Sequence, residues 1–169
     1  MTRSALAADL AAILDRDLRA LRRELEAYPE ERQIWQDVPG MPNSAGTLAL
    51  HLAGNLQHYI GARWAGTGYV RDRDAEFARR AGTRAELVAG IDAAIDAVTR
   101  GLAAVDDAVL ARPFPEAVGG RRLVTADFLT HLAVHLGYHL GQLDYHRRVV
   151  TGSAQGVGAL APAELPEAG

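Results

Sequence analysis

Three features of the sequence predict an all-α protein built as a four-helix bundle. Four segments repeat apolar residues at steps of three and four, proline- and glycine-rich connections separate them, and no segment alternates with period two. Residues 4–28 carry Leu6, Leu10, Ile13, Leu14, Leu18, Leu21, Leu25 and Tyr28 on one helical face, and Pro29 stops that helix. Residues 29–43 hold Pro29, Pro39, Gly40 and Pro42 around Trp35, which reads as a loop with an aromatic plug. Asn43 or Ser44 caps a second helix running to about residue 64. Residues 65–82 are rich in glycine and arginine and read as a solvated loop with a short helix. Thr83 and Glu86 form a capping box ahead of the stripe Leu87, Ile91, Ile95, Val98, Leu102 and Val105. A second loop contains Pro113, Pro115, Gly119 and Gly120, after which Thr125 caps a last helix through about residue 150, with Gly152 as its stop. Residues 1–150 are thus expected to form the bundle and residues 151–169 a flexible or docked tail.

A length of 169 residues is one domain's worth. With 49% hydrophobic and 23% charged residues, disorder is excluded as the main state. The 18 basic residues are outnumbered by 21 acidic ones, so the net charge of −3 lacks the excess that nucleic-acid binding needs. The acids Asp72, Asp74 and Glu76 interrupt the arginine run at 71–84 and weaken it as a nucleic-acid patch. The absence of cysteine excludes disulfides, thiolate metal sites, iron–sulfur clusters and a cysteine nucleophile. Asp9 comes too early for a signal-peptide apolar region. The uncharged stretch 38–62 is broken by prolines, asparagines and two histidines, so no membrane span is expected. A cytoplasmic protein is the expectation.

Chemistry concentrates in the last helix, where His131, His135 and His139 follow one another at steps of four. No formally charged residue occurs between Phe128 and Leu143, so this helix is expected to be largely buried. Ideal geometry places His139 roughly 45° from the centre of the leucine stripe, His135 about 85° and His131 about 125°. His135 and His139 are therefore the inward pair, one turn apart and able to share a metal ion. The glutamate that follows the first histidine of a zincin motif is absent, which excludes that mechanism. A third ligand has to come from another element. The second helix offers His51 and His58, seven residues and about 10 Å apart, and periodicity does not choose between them. His58, His131 and His146 read otherwise as hydrogen-bonded core or exposed residues.

The run His51-Leu52-Ala53-Gly54-Asn55-Leu56, together with His135-Leu136-Gly137-Tyr138-His139-Leu140-Gly141-Gln142-Leu143-Asp144, resembles the DinB-like (YfiT-type) superfamily. Its members are four-helix bundles with a three-histidine metal site, one histidine from the second helix and two from the last, the latter closely followed by Gly-Gln. The resemblance implies His51, His135 and His139 as ligands. It also implies a functionally varied family that includes thiol-dependent S-transferases and isomerases alongside members without known activity. Asn55, Gln142 and Tyr138 are candidate substrate contacts or partners of the ligands; polar packing between helices or a rim aromatic is the plain alternative.

Three neutral imidazoles leave a divalent ion its full charge and an open position, and nitrogen ligation suits Zn²⁺, Ni²⁺, Fe²⁺ or Cu²⁺. No carboxylate lies within a turn of His135 or His139 on their face, which favours thiol transfer, with an external low-molecular-weight thiol, over hydrolysis. The expected function is therefore a metal-dependent S-transferase acting on a small-molecule substrate. A metal-dependent hydrolase of a small amide or ester, or a non-catalytic metal-stabilised binding protein, stands as the alternative. Gly54, Gly61, Gly137 and Gly141 lie off the leucine stripes, and close approach by another helix, within the bundle or across a two-fold axis, would explain them. A homodimer is expected.

Overall fold

The computed structural model describes residues 2–167. Helix α1 (Ala5–Glu26) buries Leu10, Leu14, Leu18, Leu21 and Leu25, a stripe at helical spacing. Leu6, expected to join this stripe, is 41% exposed because it lies at the helix start, off the buried face. Within the loop after α1 a single turn, α2 (Glu31–Ile34), forms ahead of Trp35. The indole of Trp35 donates to the Gly82 carbonyl at 2.8 Å, so the aromatic plug joins two loops. Gly46 leaves room for it: a Cβ there would stand 2.7 Å from the ring.

Ser44 caps α3 (Ala45–Leu56), accepting from the Thr47 amide at 3.2 Å. The second helix does continue to Ala65, but its last part, Gln57–Ala65, is wound as a π-helix and ends on Gly66 with φ 62°. The short helix α4 (Arg73–Ala78) is capped by Asp72. The capping box of Thr83 and Glu86 opens α5 (Arg84–Ala103). One turn, α6 (Asp107–Leu110), precedes the long α7 (Thr125–Thr151), which stops at left-handed Gly152.

Thr125 is not the cap of α7. Val124 holds that position, and the Thr125 hydroxyl donates to the Arg112 carbonyl at 2.9 Å, tying the preceding loop to the helix. Helix α5 packs against α1 on one side and against α3 with its π-helical extension on the other; α7 closes the ring against α1 and α3. The result is an all-α bundle of four long helices, and no strand forms among the described residues. No helix of those residues is long and apolar enough to cross a membrane.

Helix α7 is buried on one face only. Leu132, Leu136, Leu140 and Leu143 line the core, whereas Val134, Tyr138, Tyr145 and Val149 are 55–67% exposed. The uncharged run is therefore a poor guide to burial, since Thr130, His131, Val134, Tyr138 and Gly141 within it are exposed. Gly54 and Gly61 are explained within the chain: a Cβ would meet Glu76 at 2.2 Å and Ala97 at 2.9 Å respectively. A Cβ on Gly137 or Gly141 would meet nothing within 4 Å beyond its own helix backbone.

Candidate metal centre

Helices α3 and α7 bring His51, His135 and His139 together. One ligand nitrogen from each ring lies within 4.8 Å of the others, so the cluster can hold a metal ion. The Nε2 atoms of His51 and His135 are 3.2 Å apart. Metal–imidazole bonds of about 2.0–2.1 Å in tetrahedral placement space two ligand nitrogens about 3.3–3.4 Å apart, close to the separation of this pair. The rings of His135 and His139 are 4.6 Å apart and nearly perpendicular, at 83°. The four-residue step brought these two rings to one face of α7, as the wheel requires.

The far side of each of two rings is engaged. Gln142 Oε1 accepts from His139 Nδ1 at 2.7 Å, which leaves Nε2 unprotonated and available. His51 Nδ1 faces Glu76 Oε2 at 3.3 Å, with Arg71 Nη2 at 3.1 Å from the same nitrogen. Glu76 can only accept from Nδ1 and Arg71 can only donate to it; ligation of a metal through Nε2 would put the proton on Nδ1, toward Glu76. The ring of Phe77 lies 4.9 Å from that of His51.

Electrostatics favour neutral rings. Burial, then the neighbouring charges of His139, His51, His131 and Arg71, push His135 down to about 4. Burial also lowers His139, against the opposing bond from Gln142. Both are ready at neutral pH to offer lone pairs. Burial pushes the Glu76 carboxyl up, but the bonds from Arg71 and His51 outweigh it and hold it below the usual range, as a carboxylate.

Asn55 lies one turn beyond His51 on α3, is 7% exposed, and its Oδ1 has no hydrogen-bond partner. Tyr138 is exposed, with its ring 5.1 Å from that of His139, and it lines a surface groove of about 410 Å³ with Tyr145, Gly141, Gln142 and the segment 40–43. The other histidines lie outside the cluster. His58 bonds Glu116 at 2.9 Å, His131 is exposed and stacks on Phe128, and His146 is buried against Tyr28. Glu76 and Arg71 were missed: residues 71–84 read as a solvated arginine run, yet both side chains are at most 8% exposed. The alternation of charge hid a buried pair whose signal lay only in its contacts.

The fold and the cluster together define a helical bundle with three histidines able to hold a metal ion between its second and last long helices. The chain belongs to the DinB superfamily, whose family model matches residues 13–143 and so spans all three histidines. Among curated proteins none matches the chain.

Proposed function

We propose that this chain is a metal-dependent S-transferase that joins a low-molecular-weight thiol to a small electrophilic substrate. The observation that carries the reading is the donor set: three nitrogens converge, while the carboxylate against them, Glu76, is engaged by Arg71 at 2.8 and 2.7 Å. A thiol-transfer site needs no separate base once the thiol is ionised, whereas hydrolysis ordinarily uses one. The chain has no cysteine, so the thiol arrives from outside. A divalent ion held by the three histidines supplies Lewis acidity, which lowers the pKa of a coordinated thiol or water.

The chain's own residues divide the remaining work. His51, His135 and His139 bind through ring nitrogens, and Gln142 fixes the rotation and tautomer of His139. Asn55, buried one turn beyond His51, holds a carbonyl acceptor without a partner.

The test is spectroscopic. Co²⁺-loaded protein is titrated with bacillithiol, mycothiol, glutathione and coenzyme A in turn. A sulfur-to-cobalt charge-transfer band with one of them, weakened in His51→Ala, supports the proposal. No band with any of the four, alongside turnover of a simple ester or amide in thiol-free buffer, assigns the site to a hydrolase.

We also propose that the protein is a homodimer through the outer face of α7. The support is a stripe of Val134, Tyr138, Tyr145 and Val149, all more than half exposed, beside Gly137 and Gly141, where a second helix can approach closely.

A further inference from the structure

Two residues outside the histidine triad, Glu76 and Arg71, meet at the Nδ1 edge of His51. Asp72 Oδ1 accepts from the Ala75 amide at 2.9 Å and starts α4, which presents Glu76 one turn later. Arg71 Nε and Nη2 donate to Glu76 Oε1 and Oε2 at 2.8 and 2.7 Å, a two-pronged fork that fixes the plane of the carboxylate. The same Oε2 faces His51 Nδ1 at 3.3 Å.

Gly54 makes the seat. A Cβ at this position would stand 2.2 Å from Glu76 Oε1 and 3.1 Å from the Tyr69 hydroxyl, so no larger residue fits with the carboxylate in place. Gly54 lies inside α3, where glycine is unfavourable relative to alanine, and its φ is not in the left-handed range. Space for the carboxylate is the reason for the glycine.

A buried ion pair is a poor source of stability, because apolar residues of like volume serve as well or better. Its geometry serves His51 instead. An acceptor at Nδ1 fixes the tautomer and ring angle that aim Nε2 at the Nε2 of His135, 3.2 Å away. We propose that Glu76 is the positioning residue of His51, oriented by Arg71 and seated by Gly54. It sets the affinity and ligand field of the bound ion without touching it. The proposal rests on the metal-centre reading above.

The experiment is a Co²⁺ titration in competition with a chromophoric chelator, on wild type, Glu76→Gln and Gly54→Ala, with thermal melts of the metal-free proteins. Glu116→Gln, which alters only the partner of His58 and Arg63, is the control. Loss of about 10- to 100-fold in affinity is expected for both test variants, with a shifted Co²⁺ d–d spectrum and unchanged affinity in the control. Gly54→Ala changes no ionisable group, so its agreement with Glu76→Gln identifies displacement of the carboxylate as the cause. Wild-type affinity and spectrum in both variants, with only the melt lowered, would make the pair a clamp for the loop and overturn the proposal. Failure of wild type itself to take up Co²⁺ would overturn the metal-centre reading and this proposal with it.

Discussion

Arg147 on α7 and Glu24 on α1 form an ion pair sealed between the two helices, with side chains 2% and 0% exposed. Arg147 also donates to Asp144 at 3.1 Å and to the Gln155 carbonyl at 2.8 Å. Removing one partner of such a pair leaves a buried charge without compensation. Arg147→Ala is expected to lose about 3–5 kcal/mol of stability in urea unfolding. The double variant Glu24→Met, Arg147→Met should be more stable than the sum of its single changes predicts. Additive losses would contradict the pairing.

His146 should make stability depend on pH. The Tyr28 hydroxyl donates to its Nδ1 at 2.7 Å, and its Nε2–H donates to the Gln36 carbonyl at 2.8 Å, so the neutral ring is satisfied on both sides. Burial lowers its pKa from the ordinary 6.5, outweighing the Gln36 bond and Asp37. A depressed folded-state pKa means that the unfolded chain takes up the proton first. The stabilisation is therefore complete above about pH 6.5 and is lost as pH falls through the folded value. His146→Gln should be less stable than wild type at pH 7.5, with the gap narrowing toward pH 5. A gap that stays constant would contradict this assignment.

Legibility differed sharply between the parts of this site. His135 and His139 were readable because one helix carries both, and the four-residue step alone places them on one face. His51 was not separable from His58 by periodicity; the resemblance chose it, and its neighbours explain why, since His58 is turned to Glu116. Glu76 stands 25 residues from His51 in a segment without apolar period, so nothing local announced the contact. Thr125 failed as a cap because its hydroxyl had a better partner across the loop, the Arg112 carbonyl. The fold was legible almost throughout because leucine stripes and capping boxes are local signals. The π-helical winding was not, because it answers to packing on α5, where Gly61 meets Ala97 and Gly101 meets Ile60.

The segment after α7 is held through arginines. Arg23 donates to the Val157 carbonyl at 3.0 Å and pairs with Glu164 at 2.9 Å. These groups are partly exposed, so Arg23→Ala should cost less than about 1 kcal/mol globally. It should nevertheless speed amide hydrogen exchange over residues 157–165 with little change in the long helices. Uniform acceleration through α1 and α7 would mean that the tail is part of the bundle core.

The outer face of α7 supplies a prediction about assembly. Light scattering at micromolar concentration should give the mass of two chains. Tyr138→Asp with Tyr145→Asp should give one, since charge on both 65–67% exposed rings opposes apolar contact. A monomeric wild type would remove the homodimer.

The most direct test of the central claim, one divalent ion held by His51, His135 and His139, is elemental analysis after metal loading and desalting. Wild type and His131→Ala should retain one equivalent per chain, because His131 is exposed and lies outside the cluster. His135→Ala and His139→Ala should each retain almost none, while circular dichroism shows unchanged helix content, because the leucine faces hold the bundle together without the ion. Variants at His135 and His139 that remain metal-replete would contradict the account.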